Sequence, residues 1–171
     1  MKTTSPLTPA ETFARLEQMI GEIRVGMLTT LGEDRDFHSR PMATLEVDAV
    51  AGALWFLTAD DSLKAREIHD DWRVGLTYSD AGRSVFVALS GTAQLIEDRA
   101  KARELWSPMM KAFFPGGVDD PRLVLLRVVP ERVEYWDASE NRMQQLFNLA
   151  KAAVTGEPPQ NLGDHGKAHL N

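Results

Sequence analysis

The sequence predicts one mainly β, α+β domain: a six-stranded antiparallel barrel, closed or partly closed, with peripheral helices. Three observations predict it. Strand-like runs outnumber helical ones, and hairpin-length turns such as GEDRD and DAVAG separate most of them. Neither a G-x-G-x-x-G following a strand nor a P-loop is present to suggest a parallel α/β sheet. The 171 residues, 43% of them apolar, suffice for a single core, because chains of this size bury about 70% of their extended surface.

Residues 8–21 predict an amphipathic opening helix. Phe13, Leu16, Met19 and Ile20 recur at helical spacing, while Thr8 ahead of Pro9 and Glu11 supplies a cap and first turn. Strands are expected over residues 23–31, 37–48 and 52–58 as an antiparallel meander. Asp60 and Asp61 then introduce SLKAREIHDD, a short helix expected to be capped by an aspartate. A strand follows over 72–78. After the AGR turn, residues 84–97 alternate as one long strand in which Gly91 marks a bulge or a close backbone approach. Residues 98–113 read as a helix ended by FFPGGVDDP, and residues 123–136 form the last long strand, rich in β-branched side chains. Met143, Leu146, Phe147 and Ala150 give a further helical pattern over 141–154. Residues 1–155 thus make the domain, and 156–171, short of anchoring apolar residues, is expected to be disordered.

Composition excludes several classes of function. With no cysteine there is no disulfide framework, thiolate nucleophile, iron–sulfur cluster or Cys-type zinc site, so redox chemistry must come from a bound cofactor. The apolar run over 123–129 is broken by Arg127 and falls short of the ~20 residues of a membrane helix. The opening MKTTSPLTPAETF carries one lysine and no apolar centre, which argues against a secretory signal and for a cytoplasmic protein. A net charge of −6 with scattered basic residues argues against nucleic acid as a partner. His165 and His169 lie in a Gly-containing tail without an acidic third ligand in register, so no metal site is expected.

Two segments carry candidate chemistry. In HSRPMATLEV, strand alternation puts His38, Arg40, Met42 and Thr44 on one face and Ser39, Pro41, Ala43 and Leu45 on the other. Pro41 cannot donate to a ladder, so the stretch lies at an edge or leaves neighbouring backbone groups for a ligand. Read alone, it is an ordinary edge strand with a surface arginine. In WFLTADDSLKA a strand runs into a helix whose first turn carries Ser62 and Lys64. Free N–H groups and the positive dipole end there make a competent phosphate site, with a solvated helix face as the plain alternative.

SRPMAT, LWFLTADDSLKAREI, SVFVALSGTAQLIED and RVEYWDASENRMQQ, in that order, resemble the pyridoxamine 5′-phosphate oxidase-like FMN-binding split-barrel family, and more narrowly its bacterial general stress protein branch. The resemblance spans roughly residues 10–150. It implies a homodimer with the flavin at the subunit interface, FMN as cofactor and FAD as a possible second. Arg40, Ser62 and Lys64 are then the phosphate ligands, and backbone around Met42 lines the flavin ring. Ser39, Pro41, Leu57, Thr58, Trp106 and Trp136 complete the implied cofactor-binding set. The vitamin oxidases of the family carry a further arginine where this sequence has Leu63. They also place substrate contacts at the positions of Leu45, Gln144 and Leu146, which argues against vitamin B6 oxidation, whereas Trp136 and Arg142 are kept. Phe113 and Phe114 read as packing residues. The expected activity is that of a flavin-dependent oxidoreductase acting on a small acceptor with NAD(P)H or oxygen as electron partner. A flavin-binding stress or redox-sensing protein without turnover, and a deazaflavin-dependent reductase, are the alternatives.

Overall fold

The computed structural model describes residues 8–138 and 164–170. Helix α1 (Pro9–Ile23) starts where the sequence signals it. The Thr8 hydroxyl accepts from the Glu11 N–H, and the Glu11 carboxylate accepts the Thr8 N–H at 2.8 Å, a reciprocal cap. The remaining elements are β1 (Val25–Leu31), β2 (Phe37–Ala43), β3 (Glu46–Asp48), β4 (Ala53–Ala59), α2 (Leu63–Asp70), β5 (Arg73–Asp80), β6 (Val85–Ile96), α3 (Arg99–Leu105), β7 (Leu123–Asp137) and β8 (Asp164–His169), with 3₁₀ segments at Pro108–Ala112 and Gly117–Asp119. Among the described residues no helix is long and apolar enough to cross a membrane.

The strands form one antiparallel sheet in the order β2-β1-β5-β6-β7-β4-β3, and β8 pairs β7 beside that path. The two ends of the path, β2 and β3, are consecutive in the chain and separated only by Thr44 and Leu45. The Thr44 N–H donates to the Arg24 carbonyl at 2.8 Å and the Leu45 N–H to the Trp55 carbonyl at 2.9 Å. The sheet is therefore not closed by a ladder; the chain itself steps from one edge to the other, and the barrel is split along that seam.

Several expectations are corrected. Eight strands among the described residues replace six, and the run 37–48 is two strands, because it changes pairing partner from β1 to β4 at Thr44. The expected meander pairings are present as two antiparallel pairs, β1–β2 and β3–β4, but the break at Thr44 puts them at opposite ends of the sheet path. The helix expected over 98–113 stops at Leu105 and gives way to the 3₁₀ segment that begins at Pro108, whose ring cannot continue an α-helix. Ser62, not an aspartate, caps α2. Residues 164–169 of the tail expected to be disordered form β8, held by a six-residue ladder to Arg132–Asp137 and by the buried Ala168. The helical pattern over 141–154, with Arg142, Gln144 and Leu146, lies outside the described residues.

The main core fills the barrel with Leu28, Leu54, Phe56, Leu76, Val87, Leu126 and Val133, and α1 adds Phe13, Leu16, Met19 and Ile20. A second cluster lies on the other face of β4 and β7, where Trp55, Leu123 and Leu125 meet Ala102 of α3 and Phe114. Gly91 is both a bulge and a close approach: the β6–β7 register slips there, and a Cβ would sit 2.0 Å from the Val129 carbonyl oxygen. Helix α2 packs against β1 and β6 and covers one end of the barrel.

Candidate functional site

Alternation along β2 turns His38, Arg40 and Met42 inward and leaves Phe37, Ser39 and Pro41 outward. Met42 is buried in the core. Next along the chain, the Thr44 hydroxyl lies 2.6 Å from that of Tyr78, whose phenol burial pushes well above its usual range. Arg40 and His38 sit nearer the rim and meet α2.

Their partner there is Glu67, a carboxylate only 3% exposed. One oxygen accepts from the Thr30 hydroxyl at 2.6 Å and from the Arg40 guanidinium at 2.8 Å. The other oxygen pairs with Nδ1 of His38. A second guanidinium nitrogen of Arg40 donates to the Thr30 hydroxyl. Burial pushes the Glu67 carboxyl up, but the hydrogen bonds from Thr30, His38 and Arg40 outweigh it and hold the group below the usual carboxylate range. The Glu67 hydrogen bond in turn raises the His38 imidazole above its ordinary value.

Lys64, half-buried in the first turn of α2, is held below the usual lysine range by burial and then by the charge of Arg40, with Glu67 opposing. Arg40 is thus ion-paired with Glu67, and Lys64 stands within electrostatic reach of both. Ser62 caps the helix, its hydroxyl accepting from the Ala65 N–H at 3.3 Å and lying 3.4 Å from the hydroxyl of the buried Thr58. Two cations, two hydroxyls and a helix N-terminus form a donor set suited to a phosphate dianion.

The other candidates lie elsewhere. Leu57 points away from Thr58 and packs against the second cluster, as does Trp106 at the end of α3. Phe114 is buried there, whereas Phe113 is exposed. Ser39 shares a hydrogen bond of 2.7 Å with Thr29 on the outer face of the sheet. Trp136 lies on that outer face too, on β7, four strands from β2 along the sheet and on the side opposite Arg40. Its ring stacks on His165 at a centroid distance of 5.2 Å, and His165 Nε2 lies 2.8 Å from Glu134. Glu67 and Thr30 are the residues that sequence reasoning missed. The signal for Glu67 was its position three residues after Lys64 and beside Ile68, on the face of α2 that turns toward the barrel.

Similarity to known proteins bears on what this donor set serves. Residues 11–160 match the family model described as pyridoxamine 5′-phosphate oxidase like. General stress protein 26 of Bacillus subtilis is 30% identical over 120 residues, 68% of this chain and 82% of that one. A solved structure described as general stress protein 26 from Jannaschia sp. CCS1 superposes with a TM-score of 0.74 at 28% identity, covering 94% of this chain and 99% of that chain. The general stress FMN/FAD binding protein of Xanthomonas citri gives a TM-score of 0.61 at 29% identity, covering 75% and 87% of the two chains.

Proposed function

The chain belongs to the pyridoxamine 5′-phosphate oxidase-like family, and from that premise we propose that it binds a flavin, FMN with FAD as a second ligand, by its phosphate at Arg40, Ser62 and Lys64. The observation that carries the reading is the placing of Arg40 and Lys64 at the start of α2, where Arg40 is paired with the buried Glu67 and Lys64 lies within electrostatic reach of both. The FMN/FAD binding of the Xanthomonas citri relative supports it. Leu63, 55% exposed beside the clamp, stands where the vitamin oxidases carry a further arginine and leaves that end open to the larger ligand.

A bound flavin supplies two-electron redox chemistry. The chain's own part is to anchor the phosphate, since Glu67 is engaged with Arg40 and His38 with Glu67. We read the activity as flavin-dependent oxidoreduction with NAD(P)H or oxygen as electron partner, and not as pyridoxamine phosphate oxidation, for which the apolar Leu45 replaces a substrate cation. That same engagement of the clamp's acid–base groups favours a second reading, a flavin-binding stress or redox-sensing protein without turnover. Anaerobic mixing of the flavin-loaded protein with NADPH separates the two: bleaching of the flavin bands supports the oxidoreductase, and a persistent oxidised spectrum supports the sensor.

The functional unit in this reading is a homodimer whose partner completes the flavin site. The outer face of the sheet supports the self-association. Val25, Met27, Phe86 and Trp136 there are between 40% and 50% exposed, an apolar patch that no helix among the described residues covers.

Titration with FMN followed by absorbance tests the proposal. Uptake near one per subunit is expected, and Arg40→Ala or Lys64→Ala should each weaken binding by about 1.5–3 kcal/mol, the range for a hydrogen bond to a charged group. Flavin bands that do not shift on mixing, or affinity unchanged in both variants, would overturn the clamp.

A further inference from the structure

Resting on the flavin reading of this clamp, we propose that Glu67 is its positioning residue, a buried carboxylate that fixes the Arg40 guanidinium from behind for a phosphomonoester, with His38 adjusting that hold as pH changes. Burying a carboxylate is unfavourable unless it is paired and hydrogen-bonded, and Glu67 meets that condition only through this network. Thr30 and Glu67 occupy one side of the guanidinium and leave its remaining donors for a ligand. The sign of the effect distinguishes positioning from bulk charge. Counting charges alone, a carboxylate beside an anion site opposes the anion, so its removal should tighten binding. If Glu67 acts by orienting Arg40, its removal should loosen binding.

His38 is placed to tune this arrangement. Its Nδ1 faces Glu67, and its Nε2 lies 3.5 Å from Asp34. The groups around it are Glu33 and Asp34 from the β1–β2 turn and Arg66, Glu67 and Asp70 from α2, which line a cleft of about 330 Å³ with Leu63, together with Arg40 on its own strand. Its protonation is favoured by the Glu67 hydrogen bond, so the imidazole keeps its proton above the ordinary histidine range. As pH rises through that raised range, one positive charge leaves the clamp and Glu67 loses a charged donor, so phosphate affinity falls. The second ionisation of the phosphate, near pH 6, works in the opposite direction and is complete by about pH 7, so the fall is read above that pH.

The experiment compares FMN with riboflavin, which lacks the phosphate, on the full chain by flavin fluorescence. Glu67→Gln is expected to raise the FMN dissociation constant roughly tenfold, as for loss of one oriented charge-assisted hydrogen bond, and to leave riboflavin unchanged. An unchanged or lower FMN constant overturns the role, as does equal weakening of both ligands. If Glu67→Gln does not fold, Thr30→Val releases the other hold on Arg40 and must show the same selective loss. His38→Asn should flatten the decline in FMN affinity above pH 7, and a decline that persists overturns the pH dependence. Absence of FMN binding by the unaltered protein overturns the flavin reading and the Glu67 role with it. Intact FMN binding by Glu67→Gln overturns the Glu67 role alone.

Discussion

The two halves of β7 share one strand, one neighbour in β6 and one barrel core, yet their outer faces are treated differently. Over residues 123–129 the outward Leu123 and Leu125 are buried under α3 and Phe114, with Trp55 of β4 beside them. Over residues 132–137 the outward Glu134 and Trp136 have no helix above them among the described residues, and the neighbouring Phe86 is 40% exposed. The inner residues of both halves, Leu126 and Val133 among them, are fully buried. The difference teaches that helix among the described residues finishes one half of the sheet, while the other half is left to something else. In the proposed dimer that something is a second copy.

The largest effect is expected from the covered half. Trp55 is 8% exposed and lies between Lys101 and Arg127, whose charges are 5.6 Å and 5.9 Å from its ring. Trp55→Ala should cost about 3–5 kcal/mol by urea unfolding, as for a buried aromatic with little means of collapse. A loss below about 1 kcal/mol would show that the second cluster is a veneer. Gly91 lies at the junction of the halves, and its replacement by alanine drives a Cβ toward the Val129 carbonyl, a backbone group that cannot swing aside. About 2–3 kcal/mol should be lost, and loss of the β6–β7 amide protection on both sides of the bulge should accompany it.

Trp136 is the counterpart of Trp55 on the open half, and the contrast is sharpest there. Trp136→Ala should leave the urea midpoint of the isolated subunit nearly unchanged while weakening self-association by about 2 kcal/mol, measured by sedimentation over a range of concentrations. If Trp136→Ala instead unfolds the subunit as Trp55→Ala does, the open half is a core and needs no second copy. If self-association is intact, the outer face is not the interface.

How much of this was legible in the sequence depends on how local each cause is. The α1 cap, the Gly91 bulge and the shared face of Arg40 and Met42 depend on residues a few positions apart or on strand alternation, and sequence reasoning found them. The break at Thr44 was invisible because the alternation runs through it; what changes is the partner strand, which the sequence does not show. Asp60, Asp61 and Ser62 are all good caps, and only the path of the chain out of β4 selects Ser62. Glu67 looked like one more charge on a solvated helix, since its burial follows from β1 and β2 arriving from elsewhere. The strand β8 is polar and glycine-containing, so its own composition argues against order; its partner lies some thirty positions upstream.

That strand gives the smallest and most local prediction, at the edge of the open half. Gly166 lies opposite Tyr135, and a Cβ on it would be 2.4 Å from the Tyr135 ring. The ring has little room to yield: Tyr135 is 6% exposed, packs into the main core and carries the Arg15 guanidinium 5.9 Å from its centroid. Glycine is therefore required there by the space under an aromatic ring, and not by its backbone angles. Gly166→Ala should detach β8 rather than unfold the barrel, because what the strand adds is the buried Ala168, the His165 stack, the Lys167 salt bridge and an edge ladder, with Leu170 following it against the core. The expected loss is about 1 kcal/mol of global stability, the scale of one edge strand's packing. Amide exchange at residues 164–169 should rise to the unprotected rate, and Trp136 fluorescence should shift to the red as His165 leaves its ring. Unchanged protection at 164–169 would show that Tyr135 moves aside after all. The pairing of β8 would then be set by Ala168 and the salt bridge from Lys167 to Glu134, 2.8 Å long and exposed.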